Sequence, residues 1–548
     1  MKSFVNILFC LICSGLLWSC SKDKEEPRPE TFYLVSIKID DKINLDLFTD
    51  VKPEFEVELQ FSEPVNPELL KQNIILKRWS GEQVELLFST NNNLVLIKSA
   101  VPLAPSNTYQ LEILQGLYAI SGAKIATGKV YTVDTGMDLS DKFPRIPDDE
   151  LLTLVQQQTF KYFYDFVHPV SKMVRERTTS DNTVTTGGTG FGVMSLIVAV
   201  ERGFISHTDG LNHIQSIVTF LSTNATRYHG AFAHWINGET GETVPFSMYD
   251  NGADLVETSL LFQGLLAARQ YFNNSSAEEI KLRDDITRLW EEVEWSWFIK
   301  DDENVLYWHW SSIYGWQMNL KVSGWNESLI TYVLAASSPT YSISKEVYDQ
   351  GWARNGEMVN NATYYGHKLP LGPIMGGPLF FAHYSFLGLD PGRLQDQYAN
   401  YWEQNRNHTL INYSYCVDNP KHYTGYNENS WGLTACDGSE GYSAHSPTND
   451  RGVIAPTAAL SSMPYTPEES MRALHFFYYK IGHIIWSDYG FIDSFNLTNG
   501  WFADQYLAIN QGPIIVMIEN YRTGLLWNLF MDIPEIEQGL IKLGFQIQ

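Results

Sequence analysis

Covalent bracing and positive charge are both scarce in this sequence. Of its five cysteines only Cys416 and Cys436 lie beyond residue 20, so no disulfide framework holds the chain, and these two either pair or stay free. Lys and Arg number 38 against 63 Asp and Glu, a net charge of −25. That deficit excludes nucleic acids and anionic polymers as partners, because phosphate binding needs clustered cations. Long hydrophobic runs are missing as well: the stretch from Ile7 to Trp18 is too short to span a bilayer. Absent too are HExxH, paired CxxC, a P-loop, a dinucleotide fingerprint and a GxSxG elbow. Zinc hydrolysis, phosphoryl transfer and hydride transfer therefore lack their residues. A neutral substrate fits what remains.

The ends of the chain carry the first positive signal. Residues 1–19 read as a signal peptide, with Lys2 ahead of the apolar run. The sequence LLWSC, with Leu17 and Ser19 at the −3 and −1 positions, resembles a bacterial lipoprotein signal. That resemblance implies that Cys20 is the lipidated first residue of the mature protein and that residues 20–31, charged and Pro-containing, are a tether. It places the protein in the cell envelope, on the outer membrane, facing either the surface or the periplasm.

From residue 32 to 136 apolar residues alternate, as in FEVELQF, where Phe55, Val57, Leu59 and Phe61 share one face. This is the period of half-buried strands, and about seven of them predict a small β-sandwich. FSEPVN and TYQLEIL resemble bacterial Ig-like domains. A polar linker over residues 137–149, carrying Pro144 and Pro147, leads into a region over 150–548 with helical periodicity. Runs such as LLTLVQQQTFKYFYDF, GFGVMSLIVAVERG, DLVETSLLFQGLLAARQYF and LQDQYANYWEQNR read as helices, and Thr466-Pro467 with Glu469 reads as a capped helix start. Between them lie long loops rich in aromatics, His and acids, the kind that carry function. About a dozen helices without a fixed repeat predict helical hairpins closed into an α/α toroid, although a less regular array fits the pattern too.

One stretch stands out. DNGADLVETS spaces Asp250, Asp254 and Glu257 at i, i+4 and i+7 ahead of an apolar run, which on one helix would make an acidic stripe. No Lys or Arg stands between Arg227 and Arg269 to neutralise it. Capping of a helix start explains part of such a pattern, and a ligand or a perturbed pKa explains the rest. Glycoside cleavage needs carboxyls on both sides of the bond, about 5 Å apart for retention or about 6.5–9.5 Å for inversion. Acid and base must then include a group from another segment: Glu327, Asp437, Glu440 and Asp504 are the candidates. Glu519 pairs more naturally with Arg522. His234, His309 and His445 lie in aromatic loops and suit sugar hydroxyls. Asp437 and Glu440 are the candidate ligands of a structural calcium.

GAFAHWINGETGE, the DNGADLVETS helix start, GWNESLITYVLAASSP, GGPLFFAHYSFLGLDP, DGSEGYSAHSPTNDRGVIAP and NQGPIIVMIENYRTGLLW together resemble the glucoamylase-like domain family, glycoside hydrolase family 144, over about Glu150 to Phe545. The resemblance implies an all-α (α/α)6 barrel behind the Ig-like sandwich and endo-acting, inverting hydrolysis of β-1,2-glucan to sophorooligosaccharides. It requires no cofactor. The alternatives are another glucan as substrate or a non-catalytic glycan-binding lipoprotein. The family's DxxxDxxE acids fall on Asp250, Asp254 and Glu257. The Glu of its GWNE segment falls on Glu327, the expected general acid, and Asp504 of WFADQY is the expected general base. Trp235, Trp308, Trp310, Trp316, Trp325 and Tyr442 are the expected sugar platforms, with His234 and Arg451 as hydroxyl donors. Relatives often read IDQGP where this chain has Asn510-Gln511-Gly512-Pro513.

Overall fold

A computed structural model describes residues 31–105 and 107–547. The expected signal peptide, the Cys20 lipidation site and the tether up to residue 30 lie outside the described residues. The chain forms two compact units that part between Leu139 and Ser140.

The first unit is a β-sandwich of ten strands among the described residues, where periodicity anticipates about seven. One sheet runs β2 (Lys42–Ile43), β1 (Leu34–Ile39), β4 (Glu56–Phe61), β8 (Leu94–Ser99), β7 (Leu86–Asn91). The other runs β3 (Leu47–Val51), β10 (Lys129–Thr135), β9 (Thr108–Ile113), β5 (Ile74–Arg78), β6 (Gln83–Val84). The extra strands include two-residue partners, too short to show an alternation. Val57, Leu59, Val95, Leu111 and Val133 are fully buried between the sheets.

The second unit is helical, and its helices fall into two kinds. His207–Thr223 and Ala277–Glu291 bury one stripe each, such as Ile214, Ile217, Val218 and Leu221. Thr186–Glu201, Leu255–Tyr271 and Ala508–Thr523 are instead buried nearly all round. The first of these packs against both of the others. The contact with Leu255–Tyr271 is backbone on backbone: a Cβ on Gly190 would sit 2.2 Å from Leu260 O, and one on Gly264 would sit 2.1 Å from Gly190 O. Only glycine permits that crossing. Ser259 Oγ, 2.6 Å from Thr331 Oγ1, ties Leu255–Tyr271 to the next buried helix, Leu329–Ser337. Through these fixed crossings the N-terminal turns of three buried helices hold Gly187, Glu257 and Asn510 in place, and Glu327 stands just ahead of a fourth.

Two local expectations are corrected. Leu394–Gln395, read as helical, pairs as a strand with Gln546–Ile547, and the helix begins at Tyr401 with Asn400 as its cap. Thr466 does precede a helix at Pro467, but its hydroxyl turns back to Ser462 O instead of capping.

Candidate active site

The three acids of DNGADLVETS do not form a stripe along one helix. Asp250 lies in a turn, and Ala253–Asp254 is a short strand paired with His309–Trp310, a pairing that brings Asp254 opposite His309. Gly252 allows the approach, since a Cβ there would lie 2.3 Å from Trp310 O. Asp254 then caps the helix, its Oδ1 accepting the N–H groups of Val256 and Glu257 at 3.0 and 2.9 Å. Its other oxygen lies 3.1 Å from His234 Nδ1 and 3.3 Å from His309 Nε2. His309 Nε2 is also 3.2 Å from Asp250 Oδ2. Glu257, one turn into the helix, accepts Gly187 N–H at 2.7 Å and sits 3.9 Å from His234 Nε2.

These contacts set the charges. Burial alone would lower both imidazoles, but the Asp254 charge and hydrogen bonds to Asp250 and Asp254 push His309 up to about 10. The Glu257 charge, followed by the Asp254 hydrogen bond, likewise lifts His234 to about 9. Burial would raise Asp254; the His309 charge and hydrogen bonds from both histidines outweigh it and hold this carboxyl well below the ordinary range. Glu257 goes the other way, raised by burial and by the Asp254 charge against the pull of His234. His234, Asp250 and Asp254 also present three ligand atoms within 4.8 Å of one another. With both imidazoles protonated, the same atoms are an ion-pair cluster.

Glu327 stands just ahead of the Leu329–Ser337 helix, deep in the unit yet with part of its surface open to solvent. Burial pushes its carboxyl up to about 7, and the charges of Glu257 and Asp254 add to the shift. Tyr384 is buried, and its hydroxyl has no hydrogen-bond partner. Burial raises it, and the charges of Tyr442, Glu327, Glu257 and Asp493 add to the shift.

A second acidic group was missed in the sequence. No motif marks FIDSFN, yet Asp493 is buried, with Oδ1 accepting Asn510 Nδ2 at 2.6 Å and Oδ2 accepting Asp437 N–H at 2.7 Å. Burial pushes it up to about 7 against those two hydrogen bonds. Asp437 itself pairs with Arg177 at 3.1 Å, and Arg177 with Glu176 at 2.8 Å. Asp504, the expected base, lies on the returning arm of this hairpin, where Gln505 O accepts Asp493 N–H. Its side chain points out and is exposed, because neighbouring residues on an extended arm alternate sides. Of the expected calcium ligands, Asp437 pairs with Arg177 and Glu440 lies 3.6 Å from Arg451. Cys416 and Cys436 are buried and free.

The expected platforms divide. Trp325 is core, 5% exposed and packed on Phe386 and Tyr401. Trp316 stacks on Trp297, and Trp310 meets the same ring edge-on, so both belong to an aromatic cluster. Trp235 and Trp308 are half-buried beside His234 and His309, while Tyr442 and Arg451 keep about half their surface exposed. Phe246, not foreseen, stacks on His234 with centroids 4.3 Å apart and is 49% exposed.

A family model described as "Putative glucoamylase" matches residues 319–534, and one described as "Bacterial Ig-like domain" matches residues 45–135. Over 418 residues the chain is 46% identical to an exo beta-1,2-glucooligosaccharide sophorohydrolase (non-reducing end) of Parabacteroides distasonis, covering 72% of this chain. The chain spans 58% of the length of that curated relative. The crystal structure of a "putative glucoamylase" from Bacteroides uniformis is 56% identical, with a TM-score of 0.73 over 74% of this chain and 99% of that one. An endo-beta-1,2-glucanase from Chitinophaga pinensis, solved with sophorotriose and glucose, is 53% identical, with a TM-score of 0.72 over 73% and 99%. With the carboxylates of its motifs gathered at one site, the chain belongs to the glucoamylase-like family of glycoside hydrolases, family 144, and carries a bacterial Ig-like domain ahead of the family's domain.

Proposed function

We propose that the second unit hydrolyses β-1,2-glucan, endo-acting and with inversion, to sophorooligosaccharides, from helices arranged as an (α/α)6 toroid. The observation that carries this reading is the contrast between Glu327, which keeps its proton up to about pH 7, and Asp254 beside it, held ionised by two histidines. Protonating a glycosidic oxygen at neutral pH needs such a proton, retained until the leaving group takes it. Glu327 is therefore the general acid. The water-activating carboxylate comes from a separate segment, because neighbours on one element approach the bond from one side. Asp493 takes that role in place of exposed Asp504: it is ionised above about pH 7, and each oxygen has a lone pair left beside its one hydrogen bond. His234, Asp250 and Glu257 bind sugar hydroxyls, while Asp254, fully buried, holds His234 and His309 in place.

The Chitinophaga pinensis enzyme supports the endo mode, since this chain covers 99% of it and only 58% of the exo-acting relative. A neutral polymer also suits a chain with a net charge of −25. LLWSC supports a further part of the proposal, anchoring through Cys20 to the outer membrane, facing the surface or the periplasm.

The test is reducing-end release from linear β-1,2-glucan by protein lacking residues 1–20, with starch and β-1,3-glucan as controls and Glu327→Gln and Asp493→Asn as variants. We expect release from β-1,2-glucan alone, lowered by about 10²–10⁴-fold in each variant, and a product anomer opposite to that of the substrate. Release from starch instead, or undiminished turnover in Glu327→Gln, would overturn the assignment.

A further inference from the structure

Beside Asp437 the chain makes a hairpin, Ala435–Cys436 pairing with Ser443–Ala444, whose tip closes through two hydrogen bonds between Gly438 and Gly441. Behind this tip is a cavity of about 450 Å³, walled by Tyr423, Gly438, His445, Arg451, Asn496 and Asn499 among others. Its volume lies within the range of small-molecule sites, about 300–1,000 Å³. His445 is 1% exposed, and neither of its ring nitrogens has a partner. Two orphaned polar atoms on one buried side chain are a costly arrangement unless a ligand satisfies them. The floor beneath is rigid and fully bonded: Asp450 accepts Tyr415 and Tyr426 hydroxyls at 3.0 and 2.7 Å and Gly452 N–H at 2.9 Å.

We propose that this cavity is a sugar subsite outside the carboxylate centre, holding one neutral hexose unit of a bound glucan chain several units from the bond that is cut. Burial, helped by the Arg451 charge, pushes the His445 imidazole down to about 4, so at neutral pH it offers one N–H donor and one acceptor, the pair that adjacent sugar hydroxyls match. Tyr423 supplies an aromatic wall for the apolar face of a pyranose. Asp450 and Glu440 on the lining disfavour an anion. The lining starts at Gly438, next in sequence to Asp437, whose N–H holds Asp493. This inference rests on the reading of the protein as a glucan hydrolase and adds a determinant of chain length to it.

The experiment measures binding of a length series of β-1,2-linked glucooligosaccharides to Glu327→Gln protein by calorimetry, alone and combined with His445→Ala or with Ser439→Trp. The latter fills the cavity from an exposed position on its rim. Each added change should weaken long oligosaccharides by about tenfold, the 1.4 kcal/mol of one or two hydrogen bonds, and weaken the shortest by much less. If the parent protein cleaves the glucan but both double variants bind every length as Glu327→Gln does, or lose all lengths equally, the subsite is overturned and the hydrolase reading stands. If the length dependence appears but the parent protein never cleaves, the subsite stands and the hydrolase reading falls.

Discussion

Asp254 and Asp493 are buried to the same degree, 0% and 2% exposed, and their proton affinities move in opposite directions. Asp254 faces two imidazoles that are themselves charged, and its second oxygen takes two N–H groups at a helix start. Asp493 has only neutral donors, an amide and a backbone N–H, while the nearby Arg177 charge is committed to Asp437 and Glu176. Burial therefore does not decide whether a carboxyl is charged; the charge of its partners does. One acidic group becomes a fixed anion that positions two charged histidines, and the other stays poised to exchange a proton near neutrality. Glu327 belongs with Asp493 in this respect, because nothing cationic touches it and two anions stand nearby.

The largest effect should come from removing the anion around which both histidines are organised. Asp254→Ala takes away the helix cap, worth about 1 kcal/mol, and leaves buried imidazolium groups short of a counter-ion, a loss of roughly 3–5 kcal/mol before they deprotonate. We expect activity to vanish and the melting temperature to fall by many degrees. Asp254→Asn separates the two causes, since asparagine caps as well as aspartate. It should fold, with His234 and His309 titrating closer to the ordinary value of about 6.5 in histidine NMR spectra. Histidines that still titrate as high as in the parent protein would show that Asp254 is not what charges them.

The sequence made part of this site legible and hid the rest for identifiable reasons. The acids at 250, 254 and 257 are visible from their spacing, but spacing suggested one helix face. A strand pairing over Ala253–Asp254, two residues long and therefore without a periodic signal, turns Asp254 into a cap facing His309. His309 was visible as one of three histidines in aromatic loops, but its place opposite Asp254 was not until that pairing showed it. Glu327 could be found because it interrupts an apolar helix start within an aromatic loop. Asp493 could not, since it sits in the short break between two two-residue strands, Gly490–Phe491 and Phe495–Asn496, and its partners lie 17 residues ahead in Asn510 and 56 behind in Asp437. Trp325 shows the converse error: its place beside Glu327 suggested a sugar platform, and its surroundings made it core. Helices were legible because an amphipathic stripe or a long apolar run repeats; loop contacts do not repeat.

A smaller effect should come from making the two groups more alike. Asn510→Asp replaces the amide that donates to Asp493 at 2.6 Å with a second carboxyl, and two carboxyls at that separation share one proton. The pair should hold its proton to higher pH than Asp493 alone. The rising limb of the activity profile should move up by about one pH unit, with activity near pH 6 falling accordingly. The amide also donates to Ala435 O at 3.0 Å, which an ionised carboxylate cannot do, so protonation is favoured twice over. If Asn510→Asp were instead more active at acid pH, the new carboxylate would be the better base and Asp493 a mere support.

The smallest effect tests the histidine side of the comparison through stability. His309 and His234 are raised from about 6.5 in the unfolded chain to about 10 and about 9 in the folded one, so folding retains protons. Their contribution is complete below pH 6.5, declines as the unfolded chain deprotonates, and is gone once pH passes through 9 to 10. Asp254, depressed instead, contributes above the ordinary carboxylate pKa and loses that contribution only in acid. Other titrating groups would obscure these terms in a single melting curve, but they cancel between the parent protein and His309→Gln. At pH 10 the parent has lost about half of the His309 charge and nearly all of its linked stabilisation, so the two proteins should melt close together. At pH 6 the parent should melt higher by a few degrees. A gap that stays constant from pH 6 to 10 would mean that His309 acts through packing and hydrogen bonding, and that its charge is not what keeps Asp254 an anion.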